Sequence, residues 1–222
     1  MELPIFNDNL KSSGSWSATL AAEQEHWKQT DASAALLRDY QVDHMLHPAG
    51  NDLRRENLLA AAGKISAWAT EGSFNAERLM ELHETLIGAK AELRTNEPRP
   101  LNAMHDPTPA VLLPKMLDMA FDWFSTESFG ELHAVEQASV VYLRLLDLHP
   151  FPTANEPTAM LAASFYTERA GLPPLVILSD DITQARFAQA FEAAFRMLTQ
   201  PLVELFAEML RKAMQSVQSR ER

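Results

Sequence analysis

The sequence predicts an all-α fold of about eight helices, and three observations carry that expectation. Glycine is scarce, 7 in 222 residues, while the strong helix formers Ala, Leu, Glu and Met abound. Apolar residues recur at helical spacing, as at Leu79, Leu82, Leu86 and Ile87. The prolines gather between such segments, where they end helices or open them. Hydrophobic residues make up 46% of the chain, enough for a sizeable core, so global disorder is excluded. Residues 1–222 are expected to form a single domain.

In chain order, Ser17 to Leu46 is expected to form one or two helices ended by His47-Pro48-Ala49-Gly50. Asn51 or Asp52 is the expected cap of the next helix, which runs to about Trp68. Asn75 to Ile87 follows, with Gly88 as its stop. Ala89 to Pro109 carries Pro98, Pro100, Pro107 and Pro109 without an apolar period, so it is expected to be extended or irregular. Helices then span about Ala110 to Phe124 and Ala134 to Leu148. Pro150 and Pro152 break the second, and Pro157 suits the first turn of another that reaches Ala170 and stops at Gly171. After the short apolar connection Leu172 to Ser179, a helix starts at Asp180 or Asp181. It carries Phe187, Phe191 and Phe195 at i, i+4 spacing, a pattern that reads as core. Pro201 opens the last helix, which frays over Gln215 to Arg222.

Composition narrows the function. No apolar run approaches the roughly 18–20 residues needed to cross a bilayer, and Met1 to Phe6 has no signal-like pattern, so a cytoplasmic location is expected. Cysteine is absent, which excludes disulfides, thiol catalysis and cysteine-bound metals. The formal net charge of -11 repels phosphate backbones and argues against nucleic-acid binding. The small basic clusters Arg54-Arg55 and Arg211-Lys212 read as solvated helix faces.

The informative stretch is helix, turn, helix, from Val140 to Met160. His149 ends one apolar helix, and the first turn of the next presents free backbone N–H groups and a positive dipole end to the same loop. An anion is stabilised there, and a histidine beside it can take a proton from an attacking hydroxyl. The same residues also admit a plain structural cap.

His149-Pro150-Phe151 followed by Ala154-Asn155 resembles the motif of the Fic/Doc (Fido) family, H-P-F-x-(D/E)-G-N-G-R-x-x-R. The Doc-type variant, H-x-F-x-D-A-N-K-R-T-A, is similar through Ala154, Asn155, Thr158 and Ala159. Leu82-His83-Glu84-Thr85-Leu86 resembles the family's L-H-x-x-L helix, and Glu92-Leu93-Arg94 its G-E-F-R approach to the flap. The resemblance covers roughly Phe74 to Val176.

The resemblance implies a Fido-like helical core over 74–176 with a short extended or β-hairpin flap at 89–113. An N-terminal helical part over 1–70 and C-terminal helices over 180–222 flank it. It implies transfer of AMP or another phosphate-containing group to a protein hydroxyl. His149 would be the general base, and Thr153, Ala154, Asn155, Glu156 and Thr158 would form the phosphate or nucleotide turn. The flap, with Arg94, Thr95 and Leu101, would hold a protein target as an added strand.

Four departures stand against that chemistry. The metal-binding acid falls at Thr153, a poor Mg²⁺ ligand by itself; the second glycine falls at Glu156; the two arginines fall at Pro157 and Met160. A carboxylate about 4 Å from a phosphate costs several kcal/mol, and each lost arginine contact forfeits about 1.5–3 kcal/mol. Glu156 and Pro157 are, in contrast, well suited to a helix first turn. The leading expectation is therefore a catalytically impaired pseudoenzyme that binds protein partners or regulates them, without a cofactor and without a metal. The competing one is an active transferase that uses His149 with ATP or another nucleotide and Mg²⁺. A toxin–antitoxin component is a third, from the Doc-like half of the motif. Asp39 to His44 stands where many Fic proteins carry an inhibitory helix and does not match that motif.

The remaining histidines carry less. His44 and His47 lack a third ligand and read as helix caps, His105-Asp106 as a solvent-exposed turn, and His83 as a hydrogen-bonded core residue.

Overall fold

The computed structural model describes residues 15–27, 31–46, 53–103, 105–177 and 181–218. Ten α-helices and one 3₁₀ turn make up its regular structure, with no strand among the described residues. The order is α1 Ser15–His26, α2 Asp31–Leu46, α3 Arg55–Glu71, α4 Ala76–Ile87, the 3₁₀ turn Ala110–Leu112, α5 Leu113–Phe124, α6 Glu127–Gly130, α7 Ala134–Leu148, α8 Asn155–Arg169, α9 Asp181–Phe195 and α10 Gln200–Gln218. The short α6 was not anticipated; Thr126 caps it by accepting from the Phe129 N–H at 3.3 Å. α3 begins at Arg55 rather than after Asn51 or Asp52, and those two residues lie outside the described ones.

Local chemistry sets many of the ends. Asn75 caps α4 by accepting from the Arg78 N–H at 2.9 Å. Gly72 and Gly88 close α3 and α4 in the left-handed region, at φ 82° and 68°, where a Cβ is strained. His133 opens α7 in a reciprocal capping box with Glu136.

α7 and α8 lie at the centre, buried on nearly every face. Small residues on α8, Ala159, Ala162, Ala163 and Ser164, let it pack closely against α7 and α3. The described part of the N-terminal region joins this core rather than standing apart: Trp16, Leu20, Leu37 and Val42 are buried in it. α1 packs on α10, and α2 on α3.

The described residues of 89–109 are irregular, as their run of prolines predicts, and only the β-hairpin alternative is corrected: they form no ladder, with four prolines lacking N–H donors and one side chain taking several of the carbonyls. That side chain is Arg94, buried among the backbone oxygens of Asn96, Thr108, Leu148 and His149.

Candidate functional site

The turn between α7 and α8 is held from three sides. His149 ends α7 in a left-handed conformation (φ 47°), its N–H bonded to Leu145 O at 3.0 Å. Phe151 is fully buried and stacks on His83 with ring centroids 3.6 Å apart. Asn155 spans the turn: its Oδ1 accepts from the Phe151 N–H at 2.9 Å and its Nδ2 donates to Phe151 O at 2.7 Å. Thr158 donates its hydroxyl to Ala154 O at 2.7 Å, so the His83 Nδ1 beside it, at 2.9 Å, is the protonated nitrogen. Burial pushes the His83 pKa down to about 4 and keeps the ring neutral.

From the other side Arg94 fastens the flap to the turn. Its Nε donates to His149 O at 2.7 Å, and its N–H to Pro150 O at 2.9 Å. His105 adds a second brace: it accepts from the Leu101 N–H at 3.0 Å and donates to Asp147 O at 3.0 Å. The expectation that His105 lies in an exposed turn is thus corrected, since the residue is 5% exposed. His83 is the hydrogen-bonded core residue expected, and His44 donates to Tyr40 O at 2.9 Å. His47 lies outside the described residues.

Beside the turn lies a cavity of about 300 Å³. His149, Thr153, Ala154, Asn155, Glu156 and Pro157 form one side, Tyr142 and Leu146 come from α7, Phe187 and Phe191 from α9, and Leu101 from the flap. Of the predicted site residues, Thr158 stands behind this wall as a buried support. Arg94 is buried and committed to backbone, and Thr95 is exposed away from the lining.

Sequence reasoning did not assign Tyr142, Leu146, Phe187 and Phe191 to the site. The phenylalanine stripe is half-buried and walls the cavity rather than serving only as core. Its i, i+4 spacing was the available signal, but spacing does not say which cavity a stripe faces.

The electrostatics are unusual for an anion site. No lysine or arginine lines the cavity. Burial, with Arg94 and His105 nearby, lowers the His149 pKa, so its ring is neutral at neutral pH. Solvent reaches Glu156, yet crowding by the cavity walls raises its carboxyl above the usual range. Pro157 has no N–H, and the Thr158 N–H is taken by Ala154 O at 3.1 Å, which leaves few donors at the start of α8. With one carboxylate, one hydroxyl at Thr153 and an amide already committed at Asn155, this turn does not fit a Mg²⁺ ion carrying a polyphosphate. No group of three histidines, aspartates or glutamates is placed to hold a metal among the described residues.

Residues 73–167 match the model of the Fic/DOC family. Over 112 residues the chain is 28% identical to the protein adenylyltransferase Fic of Nematostella vectensis, a match covering 49% of this chain and 26% of that protein. Over 197 residues it is 27% identical to a uridine 5'-monophosphate transferase of Xanthomonas campestris pv. campestris (strain 8004), covering 77% of this chain and 36% of that one. Matches thus span about a quarter to a third of these curated relatives. In fold, the chain is similar to Fic-1 from C. elegans, with a TM-score of 0.70 at 16% identity, covering 93% of this chain and 72% of that one. It is also similar to IbpAFic2 covalently tethered to Cdc42, with a TM-score of 0.60 at 15% identity, covering 93% and 73%. No described helix is long and apolar enough to cross a membrane.

Proposed function

We propose that this Fic/DOC-domain protein, its domain spanning residues 73–167, keeps the fold without nucleotide-polyphosphate chemistry and works as a protein-binding or regulatory module. The observation that carries this reading is the cavity wall itself: a carboxylate at Glu156 and a proline at 157 stand where phosphate would be received, with no cationic side chain to offset them. At an effective dielectric near 20, one carboxylate about 4 Å from one phosphate charge costs about 4 kcal/mol, enough to weaken binding roughly a thousandfold.

A protein partner is supported by the flap, where Val111, Leu112 and Leu101 are 85%, 46% and 37% exposed. A protein of similar fold is covalently tethered to Cdc42, and we extend to this chain the idea of a protein partner.

A second reading, an active transferase, has one observation in its favour. His149 stays neutral with an unpartnered Nδ1, as a proton acceptor must. Titration calorimetry with ATP and UTP, with and without Mg²⁺, separates the two. The module reading expects no binding tighter than about 1 mM. Tighter binding that disappears in His149→Ala would establish the transferase instead. Restoring Thr153→Asp, Glu156→Gly, Pro157→Arg and Met160→Arg together is expected to bring nucleotide binding back.

A further inference from the structure

The cavity beside the turn, with Glu156 in its wall, also holds polar atoms without partners. Tyr142 lines it with its side chain 0% exposed, and its hydroxyl has no hydrogen-bond partner. Buried hydroxyls are rarely left so, and a ligand atom is one way to complete them. The Nδ1 of His149, on the same cavity, is likewise unpartnered. Glu156 lines the same cavity; burial, and after it the Glu156 charge, disfavour ionisation of the Tyr142 hydroxyl. Apart from Thr153 and Asn155 on the turn, the rest of the wall is apolar, including Phe187 and Phe191, whose rings sit 6.0 and 6.5 Å from that of Tyr142, together with Leu146 and Leu101.

These features select a ligand by exclusion. An anion is repelled by Glu156. A neutral polar group can satisfy Tyr142 but brings no counter-charge to the Glu156 carboxylate. A quaternary ammonium supplies the charge but has no N–H to give. A primary ammonium supplies one charge and three donors on an alkyl stem that packs against aromatic rings. We propose that this cavity binds a primary alkylammonium group, its head between the Glu156 carboxylate and the Tyr142 hydroxyl oxygen and its stem against Phe187 and Phe191. The head and stem are shared by a free amine and by a lysine side chain presented on a protein. This site rests on the charge of Glu156 and does not depend on whether transferase activity survives.

The test is a nuclear magnetic resonance titration of the full chain with n-butylammonium at constant ionic strength and neutral pH. Signals of Leu101, Leu146, Phe187 and Phe191 report on the cavity, and n-butanol and tetramethylammonium serve as probes lacking the charge or the N–H groups. Saturable shifts with a Kd of about 10 mM or tighter are expected, with both comparison probes weaker by about tenfold. Glu156→Gln is expected to weaken binding by about tenfold or more and Tyr142→Phe by about threefold, each with an unchanged thermal melt. Glu192→Gln, on the exposed surface of α9 and paired with Arg196, is expected to change nothing. Nα-acetyl-lysine methylamide binding tenfold tighter than n-butylammonium would assign the group to a protein lysine, and equal binding would assign it to a free amine. Shifts that do not saturate, that n-butanol reproduces, or that Glu156→Gln leaves intact would overturn the proposal. Nucleotide binding displaced by n-butylammonium would sink the module reading and keep this site. Silence of both ligands would keep the module reading and sink this site.

Discussion

At the residue scale, Asn155 shows how a motif position can be structural. Its amide makes both possible bonds to the backbone of Phe151, and it is 6% exposed. Removing it leaves a buried N–H and a buried carbonyl unpaired, each costing about 1–3 kcal/mol. Asn155→Ala is therefore expected to lower stability by about 2–4 kcal/mol in urea unfolding, with or without any ligand. Retention of full stability would show that the turn is held by Phe151 stacking alone. Glu156, one residue on, has no such bond to the turn, so its side chain is free to set the charge of the cavity.

Among the elements, the flap is held by one guanidinium rather than by a ladder. Arg94 is 5% exposed and bonds carbonyls on both the flap and the end of α7, with Glu97 as its ion-pair partner at 3.3 Å. Because the same arginine bonds His149 O, flap order and turn geometry are coupled. Arg94→Ala is expected to destabilise the protein by about 2–4 kcal/mol, the cost of leaving several backbone carbonyls unpaired. The amides of residues 91–103 and 149–155 should lose hydrogen-exchange protection together; loss confined to the flap would refute the coupling. The helices on either side were legible in the sequence because their ends are local events: Asn75, Gly88 and Pro157 act within one turn. The flap was not, since its shape depends on a side chain bonding to oxygens 54 and 55 residues away.

For the whole molecule, the balance of buried ionisable groups sets the response to pH. His83 has a folded pKa depressed from 6.5 to about 4, so the unfolded state takes up a proton first and stability falls as pH drops from 6.5 to 4. His133 and His149 are shifted in the same direction by burial. Glu168 is opposite. Burial raises its carboxyl to about 7 although Ser66 donates to it at 2.6 Å, so stability falls as pH rises from 4.5 to 7. The two slopes oppose each other over most of one window. Glu168→Gln keeps the Ser66 contact and removes one slope. It is expected to gain on the parent protein as pH rises through 4.5 to 7, by up to about 3 kcal/mol above pH 7. A constant difference between variant and parent across that range would mean that Glu168 ionises normally. At the same scale, none of the described residues before Leu101 lines the cavity; the described N-terminal helices pack on α10 and α3 instead.

The sequence by itself determined the helical class, several helix ends, the His149 turn and the uncharged side chains at 157 and 160, because composition, caps and residue identity act locally. Only the tertiary structure decided what the cavity is made of. Tyr142, Glu156 and Phe187 lie on three helices, and their meeting depends on how α7, α8 and α9 pack. No local pattern encodes that meeting, because each residue obeys the periodicity of its own helix while the cavity's charge and shape arise from their sum.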